Sequence, residues 1–165
     1  MGKSSAENQG LGRLNYSYKV LKTLQENHQE KIKQMKKDIQ IPKVENLHLA
    51  IVQEYNMAFK TNDYYAYLIN EKDTDLEMVL IVSWGYDDHQ ETSKMHHKIE
   101  RLPAKSVAKV ELIQEEILKL NNTFKVTFFE NNNMYEKDFL LKKNTVNEGS
   151  LRTIKLLDKK GFILK

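Results

Sequence analysis

Tyr64-Tyr65-Ala66-Tyr67-Leu68-Ile69-Asn70, then Glu71 to Asp75, then Leu76-Glu77-Met78-Val79-Leu80-Ile81-Val82-Ser83-Trp84-Gly85-Tyr86: the reading of this stretch decides the fold class. Tyr, Ile, Val and Trp crowd both runs, and such side chains suit a pleated, half-buried surface. Met78 to Val82 is an unbroken apolar run, which predicts a strand covered on both faces. A buried helix shares that pattern, but the run is short and rich in β-branched residues, which favours strand. Between the runs, Asn70-Glu71-Lys72-Asp73-Thr74-Asp75 is turn chemistry, because Asn and Asp bond their own backbone and tolerate left-handed angles. The stretch therefore reads as a β-hairpin with a loop longer than two residues. Gly85 after Trp84 marks a bulge or strand end.

Upstream, Leu47, Leu49 and Ile51 alternate with His48, Ala50 and Val52, the pattern of a first strand. Residues 54–62 fit no single pattern, and the expectation is a strand end followed by a turn at Thr61-Asn62-Asp63. Downstream, Tyr86 to Thr92 is a polar loop. Ser93 to Arg101 reads as a strand with Met95, His97 and Ile99 on one face and His96, Lys98 and Glu100 on the other. Leu102-Pro103-Ala104-Lys105-Ser106 turns the chain into a strand from Val107 to Ile113. Glu115 to Leu120 is a helical turn stopped by Asn121-Asn122. Phe124 to Phe129 and Met134 to Leu141 form a hairpin around Asn131-Asn132-Asn133, since Asn accepts positive φ more easily than most residues.

About seven strands with regular turn signals predict a mostly β chain, an immunoglobulin-like antiparallel β-sandwich spanning residues 44–142. The Leu-Pro-x-x-Ser step at 102–106, followed by Val107, resembles the inter-strand link of such sandwiches. Residues 143–165 read as a C-terminal docking tail. Leu151, Ile154, Leu156, Leu157, Phe162, Ile163 and Leu164 make it too apolar to stay free.

Residues 1–13 read as a flexible tail. Residues 14–41 read as an amphipathic helical arm: Leu14, Tyr18, Leu21, Gln25, His28, Ile32, Met35 and Ile39 recur at steps of four and three. The same spacing is a coiled-coil register, so self-association through this helix is one partner reading, although Gln25 and His28 interrupt the seam. Lys19, Lys22, Lys33, Lys36 and Lys37, with Glu26 and Glu30, lie on the opposite face. Pro42 closes the segment, because the residue before proline is driven from helical angles.

The 165 residues carry 26 Lys+Arg against 23 Asp+Glu, a net charge of +3, too balanced for a dedicated DNA wrapper. With no Cys, disulfides and thiolate sites are excluded. The polar first 40 residues hold no secretory apolar core, and no run approaches the roughly 20 apolar residues of a membrane span. The expected location is cytoplasmic, with no membrane partner.

Catalytic signatures are missing. Asp87, Asp88, His89, Glu91, His96 and His97 form the best metal or acid-base candidate. On a strand, however, the adjacent His96 and His97 point to opposite faces, and only in a loop could both ligate. Ser83-Trp84-Gly85 lacks the flanking glycines of a nucleophile elbow, and no Gly-rich phosphate loop is present. Glu115-Glu116 belongs to a solvated helical turn. No cofactor is expected. RNA is the second partner reading. Lys31, Lys33, Lys36, Lys37 and Lys43 on one side, and Lys142, Lys143, Arg152, Lys155, Lys159, Lys160 and Lys165 on the other, could track phosphates. Tyr64, Tyr65, Tyr67, Trp84 and Tyr86 could stack bases.

Tyr67-Leu68-Ile69-Asn70, Leu76-Glu77-x-Val79 to Ser83, Gly85-Tyr86, Gln114-Glu115-Glu116 through Leu120-Asn121-Asn122, Phe124 to Phe129 and Lys160-Gly161 carry one family resemblance. Over about residues 35–165 the chain resembles a family of small bacterial hypothetical proteins often labelled phenylalanyl-tRNA synthetase alpha subunit. That resemblance implies an association with translation. Arg13, Arg101 and Arg152 are the only arginines, and none stands in a synthetase motif, so no catalytic residue is carried over.

The expectation is a non-catalytic cytoplasmic interaction module docking onto a protein or ribonucleoprotein assembly through its arm and tail. Leu21, His28, Ile32, Met35, Lys33, Lys36, Lys37, Lys43, Arg152, Lys159 and Lys160 are the candidate contacts. The alternatives are a ribosome-associated, RNA-contacting protein, and an enzyme or metal-binding protein using His89, His96 and His97.

Overall fold

Alternation of apolar and polar residues from Leu47 onward produces nine strands in the structure, a computed structural model that describes residues 22–23 and 43–165. The chain divides into two units, Met1–Ile41 and Pro42–Lys165. In the first, Lys22 and Thr23 are helical and exposed, and the remaining calls on the flexible tail and helical arm fall outside the described residues.

The second unit runs through β1 (Leu47–Asn56), β2 (Thr61–Asn70), β3 (Leu76–Tyr86), β4 (Met95–Leu102) and β5 (Ser106–Ile113). A short helix α1 (Glu115–Leu118) follows, then β6 (Asn121–Glu130) and β7 (Asn133–Leu141). A 3-10 turn, Glu148–Ser150, leads into β8 (Arg152–Ile154) and β9 (Lys159–Leu164). The strands form two antiparallel sheets, ordered β5-β2-β1-β9-β8 and β4-β3-β6-β7.

One core joins the sheets. Leu47, Leu49, Ile51, Ala66 and Leu68 from the five-stranded sheet meet Val79, Ile81, Phe124, Val126, Phe128 and Phe139 from the four-stranded one. Alternation alone explains the assignment, since residues two apart share a face.

The central stretch is not a hairpin. β2 pairs with β1 and β5, whereas β3 pairs with β4 and β6, so residues 71–75 carry the chain from one sheet to the other. The reason lies in Asn70, which is fully buried. Its amide donates to the carbonyls of Thr74, Leu102 and Pro103 at 2.9, 3.3 and 2.9 Å, and its Oδ1 accepts from the Lys72 amide. Residues 102–106 make the second inter-sheet step, and the two crossovers lock together. Asp75 accepts from the Ala104 amide at 2.8 Å, and the Lys105 amide donates to the Lys72 carbonyl.

The apolar run in β3 is covered on one face only. Val79 and Ile81 are buried, while Met78 and Leu80 are 45% and 46% exposed. Coverage on both faces belongs instead to β2, where Ala66 to Asn70 are all buried between its two neighbours.

The turn expected at 61–63 falls at 57–60, since Asn56 pairs with Thr61. Asn131 and Asn132 form the expected hairpin turn, with φ of 50° and 62°, as a two-residue turn of the primed type requires.

Residues 143–165 are not a tail. β9 inserts between β1 and β8, pairing Leu49 with Leu164 and Val52 with Gly161. Ile154 then packs with Ala50, Val52, Tyr67 and Ile69 in a second apolar cluster. The apolar content that made the segment look like a docking element is used within its own sheet.

Candidate functional site

The turn between β1 and β2 presents the two most exposed large apolar side chains of the described residues. Met57 is 81% exposed and Phe59 77%, with Tyr55 at the end of β1 exposed beside them. The backbone under them is fixed. Asn56 Oδ1 accepts from the Ala58 and Phe59 amides at 3.1 and 3.4 Å, an Asn-capped turn. Asn56 Nδ2 donates to Asp63 at 2.7 Å, and the Thr61 hydroxyl donates to the other Asp63 oxygen at 2.9 Å. Lys60 closes the turn with a φ of 55°. Two bulky apolar groups thus project from a braced tip.

The base of this hairpin is tied across the sheet by Glu54. Its carboxylate accepts from Lys109 of β5 and Lys159 of β9, both at 2.7 Å, and from the Tyr67 hydroxyl of β2. Burial pushes this carboxyl up, but the bonds from Lys109, Lys159 and Tyr67 outweigh it and hold it at about 2. Burial and the Glu54 bond both raise the Tyr67 phenol. The Lys109 ammonium also sits 3.7 Å from the centre of the Tyr65 ring, a cation–π contact.

Several expected contacts are thereby occupied. Lys159 belongs to Glu54, and the Arg152 guanidinium donates to the carbonyls of Gly149 and Leu151 at 2.8 Å. Lys43 is exposed beside Glu45, and Lys160 is exposed. Leu21, His28, Ile32, Met35, Lys33, Lys36 and Lys37 lie outside the described residues.

The aromatic set does not form one stacking platform. Tyr65 and Tyr67 pack with the cluster on the outer face of the five-stranded sheet, Tyr64 packs against the inner core, and Trp84 and Tyr86 belong to the other sheet.

The histidines separate as well. His96 is exposed, His97 turns toward β5 and meets Glu111 at 2.7 Å, and His89 sits in the 87–94 loop. That loop is shaped by Asp87, whose Oδ1 accepts from the His89 and Gln90 amides, which lowers its carboxyl. Among the described residues no three His, Asp or Glu side chains converge as a metal set, and no helix is long and apolar enough to cross a membrane.

The braced tip was legible only in part. Residues 54–62 fit no single pattern, and Thr61-Asn62-Asp63 carries more turn chemistry than Met57 to Lys60, which draws the expected turn past the true one. Comparison with family models, with curated proteins and with solved structures gives no match.

Proposed function

We propose that the Pro42–Lys165 unit is an immunoglobulin-like sandwich acting as a non-catalytic interaction module, which docks onto a protein partner through the β1–β2 tip. The fold reading is supported by strand order. With β1, β2 and β5 taken as strands A, B and E, and β3, β6 and β7 as C, F and G, the pairings are those of the immunoglobulin type. β4 is then an added strand beside C, and the β8–β9 hairpin is added outside A.

The observation that carries the functional reading is the exposure of Met57 and Phe59 on a turn held by Asn56 and Asp63. A protruding apolar pair on a fixed backbone loses little side-chain freedom beyond its own rotamers when it enters a partner's pocket, and buried anchors of this kind dominate interface energies. The matching surface is an apolar pocket on a folded protein.

The test is cross-linking from a photoreactive residue placed at Ala58, in cells of the source organism. It compares the parent with the Met57→Ser/Phe59→Ser variant. The expected result is one protein adduct that survives RNase and disappears in the variant, whose stability stays within about 0.5 kcal/mol of the parent. An adduct that is lost to RNase, or unchanged by the double substitution, overturns the reading.

A further inference from the structure

The inward row of β3 shrinks along its length. Leu76, Val79 and Ile81 fill the core, and the next two inward positions are Ser83 and Gly85. Where side-chain volume runs out, a cleft of about 440 Å³ opens between the end of β3 and the end of β5. That size falls within the range of small-molecule sites. Met95, Ile113, Ile117 and Phe124 supply apolar wall.

Glu111 reaches this cleft from the opposite sheet. One of its oxygens, Oε2, meets His97 Nε2 at 2.7 Å, and Oε1 has no partner among the described residues. Asn122, only 3% exposed, stands beneath Gly85. Its amide donates to the carbonyls of Ile117 and Leu120 at 2.8 and 2.9 Å, which fixes which end of the side chain is the acceptor. Its Oδ1 lies 3.0 Å from where a Cβ on Gly85 would stand. Among the described residues, no lysine or arginine lines the cleft.

We propose that this cleft binds a small molecule with an apolar body and a protonated amine, the ammonium held by Glu111 and the body packed against Phe124 and Ile117. The unpaired carboxylate oxygen attracts a cation into a cleft walled mostly by apolar groups and repels an anionic ligand of the same shape. Asn122 Oδ1 offers a second acceptor to a further donor on the ligand.

The test uses the full chain and three probes of one shape: phenethylamine, phenethyl alcohol and hydrocinnamate. Trp84, the one tryptophan, lines the cleft and reports by fluorescence. The amine is expected to bind saturably, the alcohol at least about tenfold more weakly, and the acid not at all. Glu111→Gln should erase the preference for amine over alcohol, and Ser83→Leu should remove binding of both by filling the cleft. The probe series on the parent chain stands independently of how either variant folds. Absence of saturable amine binding, equal binding of the acid, or an amine preference that survives Glu111→Gln overturns the proposal.

Discussion

The side-chain amide of Asn70 donates to the carbonyl of Pro103 at 2.9 Å, and so ties the exit of β2 to the exit of β4. Asn70→Ala would leave the carbonyls of Thr74, Leu102 and Pro103 without this donor in a buried corner. The expected loss of stability is about 2–4 kcal/mol, read as a lower urea midpoint at unchanged slope. Asn70→Asp, nearly the same shape, should cost at least as much, because a carboxylate would face carbonyl oxygens. A neutral result for either variant would show that the two crossovers do not depend on one another.

Gly161 lies where Ile154 crosses β9. A Cβ there would come within 2.6 Å of Ile154 Cδ1 and 2.9 Å of the Ile51 carbonyl oxygen. Gly161→Ala should therefore destabilise by about 1–3 kcal/mol. Adding Ile154→Ala should recover little of that, since the clash with the Ile51 backbone remains and a buried side chain is lost. Thermal unfolding of the single and double variants separates these effects.

Glu54 sets an acid limb. Its carboxyl is held at about 2 in the folded chain against an ordinary 4.5, so its contribution is complete above the ordinary value and is lost as pH falls from 4.5 towards 2. Glu54→Gln should cost about 1–2 kcal/mol at neutral pH and flatten the stability profile in that window. On the alkaline side, the Glu54 bond raises Lys159, so the contribution of that lysine is complete below 10.5 and fades as pH rises through its folded value. Melting temperatures of both chains between pH 2 and 5 check the acid limb.

Strand positions were legible because alternation is local, and pairing was not. Tyr64 to Asn70 and Leu76 to Tyr86 show where strands lie, but nothing in their pattern says that residues 71–75 turn a corner instead of a hairpin. The available signal was Asn70 itself, a polar residue ending a run buried on both faces. Lys159 to Leu164 reads as a docking element because its apolar content does not say whether it packs on its own sheet or on a partner, and the value of Gly161 appears only once Ile154 is seen to pass over it. The cleft could have been suspected from the step in size from Val79 and Ile81 to Ser83 and Gly85. Its carboxylate could not, because Glu111 sits in an ordinary alternating strand, and only the tertiary fold turns it inward towards His97.

The placement of β9 against β1 has a consequence for how the molecule is made. β1 leaves the ribosome ahead of β2 and can pair with it at once, but its other edge waits until β9 has been translated. Throughout elongation the nascent sheet carries an open edge at Leu49–Val52, a template for wrong pairing with neighbouring chains. A premature stop anywhere between β7 and Lys159 would make that edge permanent. Such a shortened product would hold most of its core residues and still be a substrate for chaperones and proteases.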